Sequence, residues 1–271
     1  MSHAPTSIDP TKPSIARVYD AFLNGSDNYE VDREVVRGVR KAAPEAADLA
    51  VENRAFLIRV CRFLAARSGI TQYLDCGSGL PTAENTHQVV RRVHPEARVV
   101  YVDNDPLVLA HSRALLEGDP TAVFVAEDIF EPERLLANEL VRSHLDWSRP
   151  IALLHMGTLH HYNGEDARTR KDIVRAYVDA LPSGSYVALS HFLDPEDEFS
   201  ATARKMEEMF LHSMMGSGTF STRAELEDLF NGLPMVAPGL VRCADWQPDA
   251  PHTEPLNAAR RCIAGGVAHK P

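Results

Sequence analysis

No stretch of this chain sustains the roughly 18 apolar residues that cross a bilayer, and its first residues lack the basic-then-apolar order of a secretory leader. The expectation is a cytoplasmic protein with no membrane partner. Cysteine is scarce: Cys61, Cys76, Cys243 and Cys262 are scattered, with no Cys-x-x-Cys pair and mostly apolar neighbours. That excludes a disulfide framework and suits reduced, buried thiols. Basic charge is short as well, with Lys plus Arg totalling 28 against 38 Asp plus Glu, a formal net charge of -10. With no basic run either, nucleic acid is not an expected partner. Internal repeats and low-complexity tracts are absent. The group His155, His160 and His161 lacks a helical i, i+4 histidine pair or a cysteine set to complete it, so no metal is expected.

What is present is ordinary globular usage over 271 residues, 44% hydrophobic and 24% charged, enough for one large α/β domain with or without an appendage. Residues 1–12 mix Pro, Ser, Thr and Asp without periodicity and read as a mobile tail. From residue 13 the pattern changes. Ile15, Val18, Tyr19 and Phe22 make one apolar helical face that Asn24-Gly25 ends, and further helices are expected over 32–43 and 48–66. Residues 13–69 are therefore expected to form a helical cap, followed by one domain over 70–271.

After Gly69 strand-like and helix-like segments alternate, the signature of a mostly parallel sheet covered on both faces. Strands are expected at 72–76, 98–102, 122–126, 151–155 and 186–191. Helices should follow Pro81 to about 95 and span 106–116, and a capping-box start falls at Thr222 and Glu225. Two last strands, near 239–244 and 262–268, should pair like a hairpin across a Pro-rich connection. The Met-rich segment with Met206, Met209, Met214 and Met215 reads as core filling, or as an adaptable acceptor wall.

In an open α/β sheet, ligands bind outside the carboxyl ends of the strands. Asp75 with Gly77 and Gly79, then Asp103, then Asp128, then residues 155–161 should converge there. Asp103 lies about 24 residues beyond Gly79, near the spacing at which an acidic side chain accepts the hydroxyls of an adenosine ribose. A dinucleotide fingerprint would want a third glycine where Thr82 stands. Asp75 would also repel a pyrophosphate, but could pair with a cationic α-amino group. An adenosine with an amino acid and no phosphate fits, whereas a nicotinamide-dependent reductase does not.

The run Leu-Asp-Cys-Gly-Ser-Gly-Leu-Pro-Thr over 74–82 resembles the first motif of class I S-adenosylmethionine-dependent methyltransferases. Val-Asp-Asn-Asp-Pro over 102–106 resembles their second motif, and Ala-Glu-Asp-Ile over 126–129 their third. More narrowly, Ala-Arg-Val-Tyr-Asp (16–20), Gly-Ser-Asp-Asn (25–28), Glu-Asn-Arg-Ala-Phe (52–56) and the Gly-Leu-Pro-Thr ending resemble an actinobacterial family of S-adenosyl methyltransferases, over nearly the whole chain. One departure is His269 before Lys-Pro, where that family more often has Arg.

The resemblance implies a Rossmann-like, seven-stranded, mostly parallel sheet with helices on both faces and an N-terminal helical cap. It places Asp75 near the methionine amino group, Gly77 and Gly79 against the cofactor backbone, Asp103 on the ribose and Asn104 beside the adenine. Asp128 and Ile129 would take the adenine amino group and ring face, with His155 and Met156 bordering the sulfonium. Methyl transfer relies on alignment and exclusion of water, sometimes with a base. Candidate bases are His155, His160, His161 and His191, with Tyr19, Tyr29 and Tyr162 as orienting hydroxyls. Asn24, Asp27, Asn28, Tyr29, Asn53 and Arg54 could fold over the crevice as a lid. The expected activity is methyl transfer to a small molecule, with a non-catalytic sensor of S-adenosylmethionine or its demethylated product as the alternative.

Overall fold

The computed structural model describes residues 8–81, 84–164 and 168–271. Three helices come first: α1 (Ile15–Phe22), α2 (Glu30–Ala42) and α3 (Ala47–Ser68). Asp32 starts α2 by accepting the Tyr29 N–H at 2.8 Å, and it also takes the Ser14 N–H at 3.0 Å, so the first two helices share one carboxylate. Gly69, at φ 67°, ends α3 in the left-handed conformation that favours glycine.

Alternation then begins with β1 (Gln72–Cys76), buried along its whole length. It continues through α4 (Thr86–Arg91), β2 (Arg98–Asp103), α5 (Pro106–Leu115), β3 (Ala122–Ala126), α6 (Pro132–Ala137), α7 (Glu139–His144), β4 (Ala152–Met156), α8 (Arg170–Ala180) and β5 (Tyr186–Phe192). The last part holds α9 (Ser200–Leu211), α10 (Arg223–Asp228), β6 (Val241–Arg242), α11 (Ala258–Arg261) and β7 (Ile263–His269). The sheet has seven strands in the order β3-β2-β1-β4-β5-β7-β6. The first five run parallel, while β7 pairs antiparallel with β5 and with β6. The fold is the expected Rossmann-like one, and the last two strands do pair with each other.

Local departures have local causes. The helix expected from Pro81 begins at Thr86, where the Asn85 N–H finds the Gln88 side chain at 2.8 Å; Thr82 lies outside the described residues. β6 is two residues long because 243–245 turn into a 3-10 helix. Of the Met-rich segment, Met206 and Met209 lie on helix α9, with Met206 buried, while Met214 and Met215 follow its end and Met214 is exposed. Among the described residues no helix is long and apolar enough to cross a membrane.

Helix α3 rests on the far end of the sequence. Phe56 and Phe63 meet the buried Trp246 edge-on, and Arg59 donates to the carbonyls of Trp246 (2.9 Å) and Cys243 (2.6 Å). Asn257 donates to Asp48 at 2.7 Å. A Cβ on Gly265 of β7 would stand 2.6 Å from the Phe56 ring, so glycine there lets helix and strand close up.

Candidate active site

A cavity of about 680 Å³ opens beyond the carboxyl ends of the strands, and α1, α3 and residues 8–14 form its other wall. Its charge is divided. Every carboxylate lining it among the described residues belongs to residues 8–14 or stands at or just after the carboxyl end of β1, β2 or β3, and its cations are Lys12, Arg17 and Arg54. The lining residues from β4, β5, β7, α9 and the loops after β4 and α9 carry no charged side chain.

On the charged side the glycine turn is folded across the end of β2. The N–H groups of Gly77 and Ser78 donate to the Val102 carbonyl at 2.8 and 3.0 Å, and Gly79 N–H donates to Asp103 Oδ2 at 2.9 Å. Gly77 sits at φ 77°, and a Cβ there would lie 2.4 Å from Thr158 Cγ2 and 3.3 Å from Ile129 Cδ1. Asp103 Oδ1 takes the Asp105 N–H at 3.0 Å. Asp75 accepts the Thr86 hydroxyl at 2.6 Å. Burial pushes Asp75 up to about 6, opposed by the Thr86 bond and the Arg54 charge. Burial also lifts Asp103 to about 6, against the backbone N–H groups of Asp105 and Gly79. Asn104, Asp128 and Ile129 complete this wall, Asp128 being held by the Phe130 N–H at 2.8 Å.

Arg17 ties the N-terminal segment down here. Buried to 4% exposure, it donates to the carbonyls of Asp9 (3.2 Å) and Lys12 (2.6 Å). Its Nε lies 3.6 Å from Asp32 and 3.9 Å from Asp105, and its guanidinium sits 5.0 Å above the Tyr29 ring. Ala16 meets Leu80 and Val108 in a small apolar cluster beside it. Residues 8–12, expected within a mobile tail, are therefore anchored over the ends of β1 and β2; residues 1–7 lie outside the described residues.

The uncharged side is built from rings. His160, Phe192 and Phe210 stand nearly parallel, at 3.7 Å and 12° for the first pair and 5.4 Å and 20° for the second, with Phe22 6.2 Å from Phe210. His160 Nδ1 accepts the Phe192 N–H at 3.4 Å, and His161 Nδ1 pairs with Ser217 Oγ at 2.9 Å. Burial pulls His161 down to about 3, and His160 is lowered by burial and by its neighbours His161, His191 and Arg170. Both rings are therefore neutral at ordinary pH.

The sequence-derived candidates divide accordingly. Asp75, Gly77, Gly79, Asp103, Asn104, Asp128, Ile129, Met156, His160, His161, Tyr19, Asn53 and Arg54 all line the cavity. His155 does not: strand alternation puts Met156 on the cavity face and His155 on the other, fully buried against Tyr177 and 3.2 Å from Thr158 Oγ1. His191 is also outside, its Nδ1 donating to the Phe192 carbonyl at 2.7 Å and its Nε2 accepting from Arg170 at 2.9 Å. Asn24, Asp27, Asn28 and Tyr29 are not in the cavity wall either. Their turn is drawn together by Asp20, which takes the Asp27 N–H at 2.9 Å and the Asn28 amide at 2.8 Å. Tyr19 lends no free hydroxyl, since it donates to the Ala50 carbonyl (3.0 Å) and accepts from Asn53 (3.1 Å).

Sequence reasoning missed Arg17, Thr86, Phe192 and Phe210. Nothing in a single sequence separates a cavity-facing Phe from a core one. Arg17 carried a weak signal, a cation beside an otherwise apolar helical face.

The family described as S-adenosyl methyltransferase matches the chain over residues 1–271. A candidate methyltransferase from Thermobifida fusca has a crystal structure similar to this one, with 41% identity, 96% of each chain covered and a TM-score of 0.90. A DUF574-family protein from Streptomyces avermitilis is also similar, at 35% identity, covering 98% of this chain and 100% of the other, with a TM-score of 0.89. No curated protein matches the chain.

Proposed function

The chain belongs to the S-adenosyl methyltransferase family, and from that membership we propose that it moves the methyl group of S-adenosylmethionine onto a small molecule held beneath α1 and α3. The observation that carries this reading is one continuous cavity, in which the charged strand ends run on into an uncharged chamber. Its volume lies within the roughly 300–1,000 Å³ of small-molecule sites.

The residues present suit the cofactor. Gly77 leaves no room for a side chain, Asp75 offers a buried carboxylate to an ammonium group, and Asp103 keeps lone pairs for ribose hydroxyls. Arg54 lines the same wall close enough for its charge to act on Asp75, which suits a methionine carboxylate. Asn104, Asp128 and Ile129 would border the adenine, and Met156 the methyl-bearing sulfur. When bound, S-adenosylmethionine supplies an electrophilic methyl group. The protein's part is to align that group with the acceptor and to exclude water. Residues 8–19, pinned by Arg17, act as the lid in place of the 24–29 turn. A protein that only reports cofactor level would need no chamber beyond the crevice, so the continuation of the cavity favours transfer.

Calorimetric titration of the full chain with S-adenosylmethionine, S-adenosylhomocysteine and NADH tests the cofactor. The first two should bind and NADH should not. Tighter NADH binding would reject the reading. A labelled-methyl screen against small molecules then tests transfer.

A further inference from the structure

Resting on the methyltransferase reading, we infer that the acceptor is a flat, uncharged hydroxyaromatic or nitrogen heteroaromatic. Three observations on the β4 to β7 side of the cavity lead there.

The first is charge. No Asp, Glu, Lys or Arg from those elements lines the chamber among the described residues, so a charged acceptor would be desolvated without a partner. The second is shape. His160, Phe192 and Phe210 all line the cavity, packed ring on ring, so a guest there meets a wall of aromatic side chains.

The third is the shortage of a base. His155 and His191 lie outside the cavity, and the Tyr19 hydroxyl is already engaged by Ala50 and Asn53. His160 receives the Phe192 N–H on Nδ1, which places its own hydrogen on Nε2 and leaves the ring no free lone pair with which to take the acceptor's proton. His161 is paired with Ser217, and burial makes it a poor proton acceptor. An aliphatic alcohol would stay inert here. A phenolic hydroxyl or an aromatic ring nitrogen is nucleophilic through its own electronics.

The transfer balances without a protein base. The acceptor's lone pair forms the bond to the methyl carbon, and the carbon–sulfur bond breaks with its electrons passing to sulfur. S-adenosylhomocysteine leaves uncharged at sulfur, and a phenolic or N–H proton passes to solvent. An acceptor nitrogen without hydrogen keeps the positive charge instead.

The test titrates full-length protein saturated with S-adenosylhomocysteine with three probes: 2-naphthol, its saturated counterpart decahydro-2-naphthol, and 2-naphthoate. The expected result is 2-naphthol binding about tenfold or more tighter than either of the others. Phe192→Leu and Phe210→Leu should each weaken 2-naphthol by about tenfold while leaving S-adenosylhomocysteine affinity unchanged. That unchanged affinity also serves as the check that each variant is folded. Equal binding of the saturated alcohol or the carboxylate, no binding of 2-naphthol, or insensitivity to both substitutions overturns the inference alone. Failure of S-adenosylhomocysteine to bind the unaltered protein removes the methyltransferase reading and this inference with it.

Discussion

The two halves of the cavity are built from the same kind of part, the loop after a parallel strand, yet they hold opposite materials. The carboxyl ends of β1 and β2 carry Asp75 and Asp103 and the loop after β3 carries Asp128, each fixed by a hydroxyl or a backbone N–H. After β4 and at the end of β5 stand His160, His161 and Phe192, packed ring on ring. On the proposed reading the first half would recognise by directed hydrogen bonds and charge, so its specificity would be written in single residues. The second would recognise by shape and polarity, which are properties of a surface. A family can keep the first half and change the second by repacking, since core-like walls tolerate volume-conserving exchange better than a carboxylate tolerates loss.

Substitutions can test whether the division is real. The largest effect should come from Phe210→Ala. It removes a ring at 2% exposure that stacks on Phe192 and should cost about 3–5 kcal/mol of stability, read by denaturant unfolding. S-adenosylhomocysteine affinity should stay within about twofold. A parallel loss of cofactor affinity would mean that the halves are one unit.

Asp103→Ala should do the reverse. Cofactor binding should weaken by about 1–3 kcal/mol in calorimetry, since the proposed ribose partner goes together with the anchor of Gly79. Unchanged affinity would remove the ribose assignment.

The smallest effect is a pH dependence confined to the charged half. Burial raises Asp75 and Asp103 from 3.8 to about 6 in the folded protein. Between those values the folded state holds more protons than the unfolded one, so their contribution to stability is present below about pH 4 and is lost as pH rises through about 6. An ammonium group and ribose hydroxyls favour the ionised carboxylates, so cofactor should raise the melting temperature more at about pH 7.5 than at about pH 5. Asp75→Asn should flatten that difference, and an unaltered slope would show that Asp75 does not meet the cation.

This division also marks what could be read without the structure. Strand periodicity and the positions of Asp75, Asp103 and Asp128 were legible because carboxylates in register at the ends of successive parallel strands point to one crevice. β1 and β3 fall where alternation and turn residues put them. Facing direction was harder to read. His155 and Met156 are neighbours, and a one-residue difference in register decides which of them meets the cavity. The aromatic wall was silent because Phe192 and Phe210 have the composition of any core. The polar turn at 24–29 drew attention through its residue types, but Asp20, four residues before Asn24, is what uses them. Arg17 works through partners scattered from Asp9 to Asp105, a pattern that no local window contains.

The way α3 is held bears on the order in which the molecule is made. Its anchors, Cys243, Trp246 and Asn257, lie 184 to 209 residues further along the chain than the side chains they bind. Contacts so distant in sequence are slow to form, because the intervening loop must close before they return any energy. A nascent chain halted before residue 243 would already contain the strands that present Asp75, Asp103 and Asp128, but not the support for the helix carrying Asn53 and Arg54. The α3 wall of the cavity is thus among the last parts completed during synthesis, and a ribosome-bound chain would expose the charged half before it could shelter anything there.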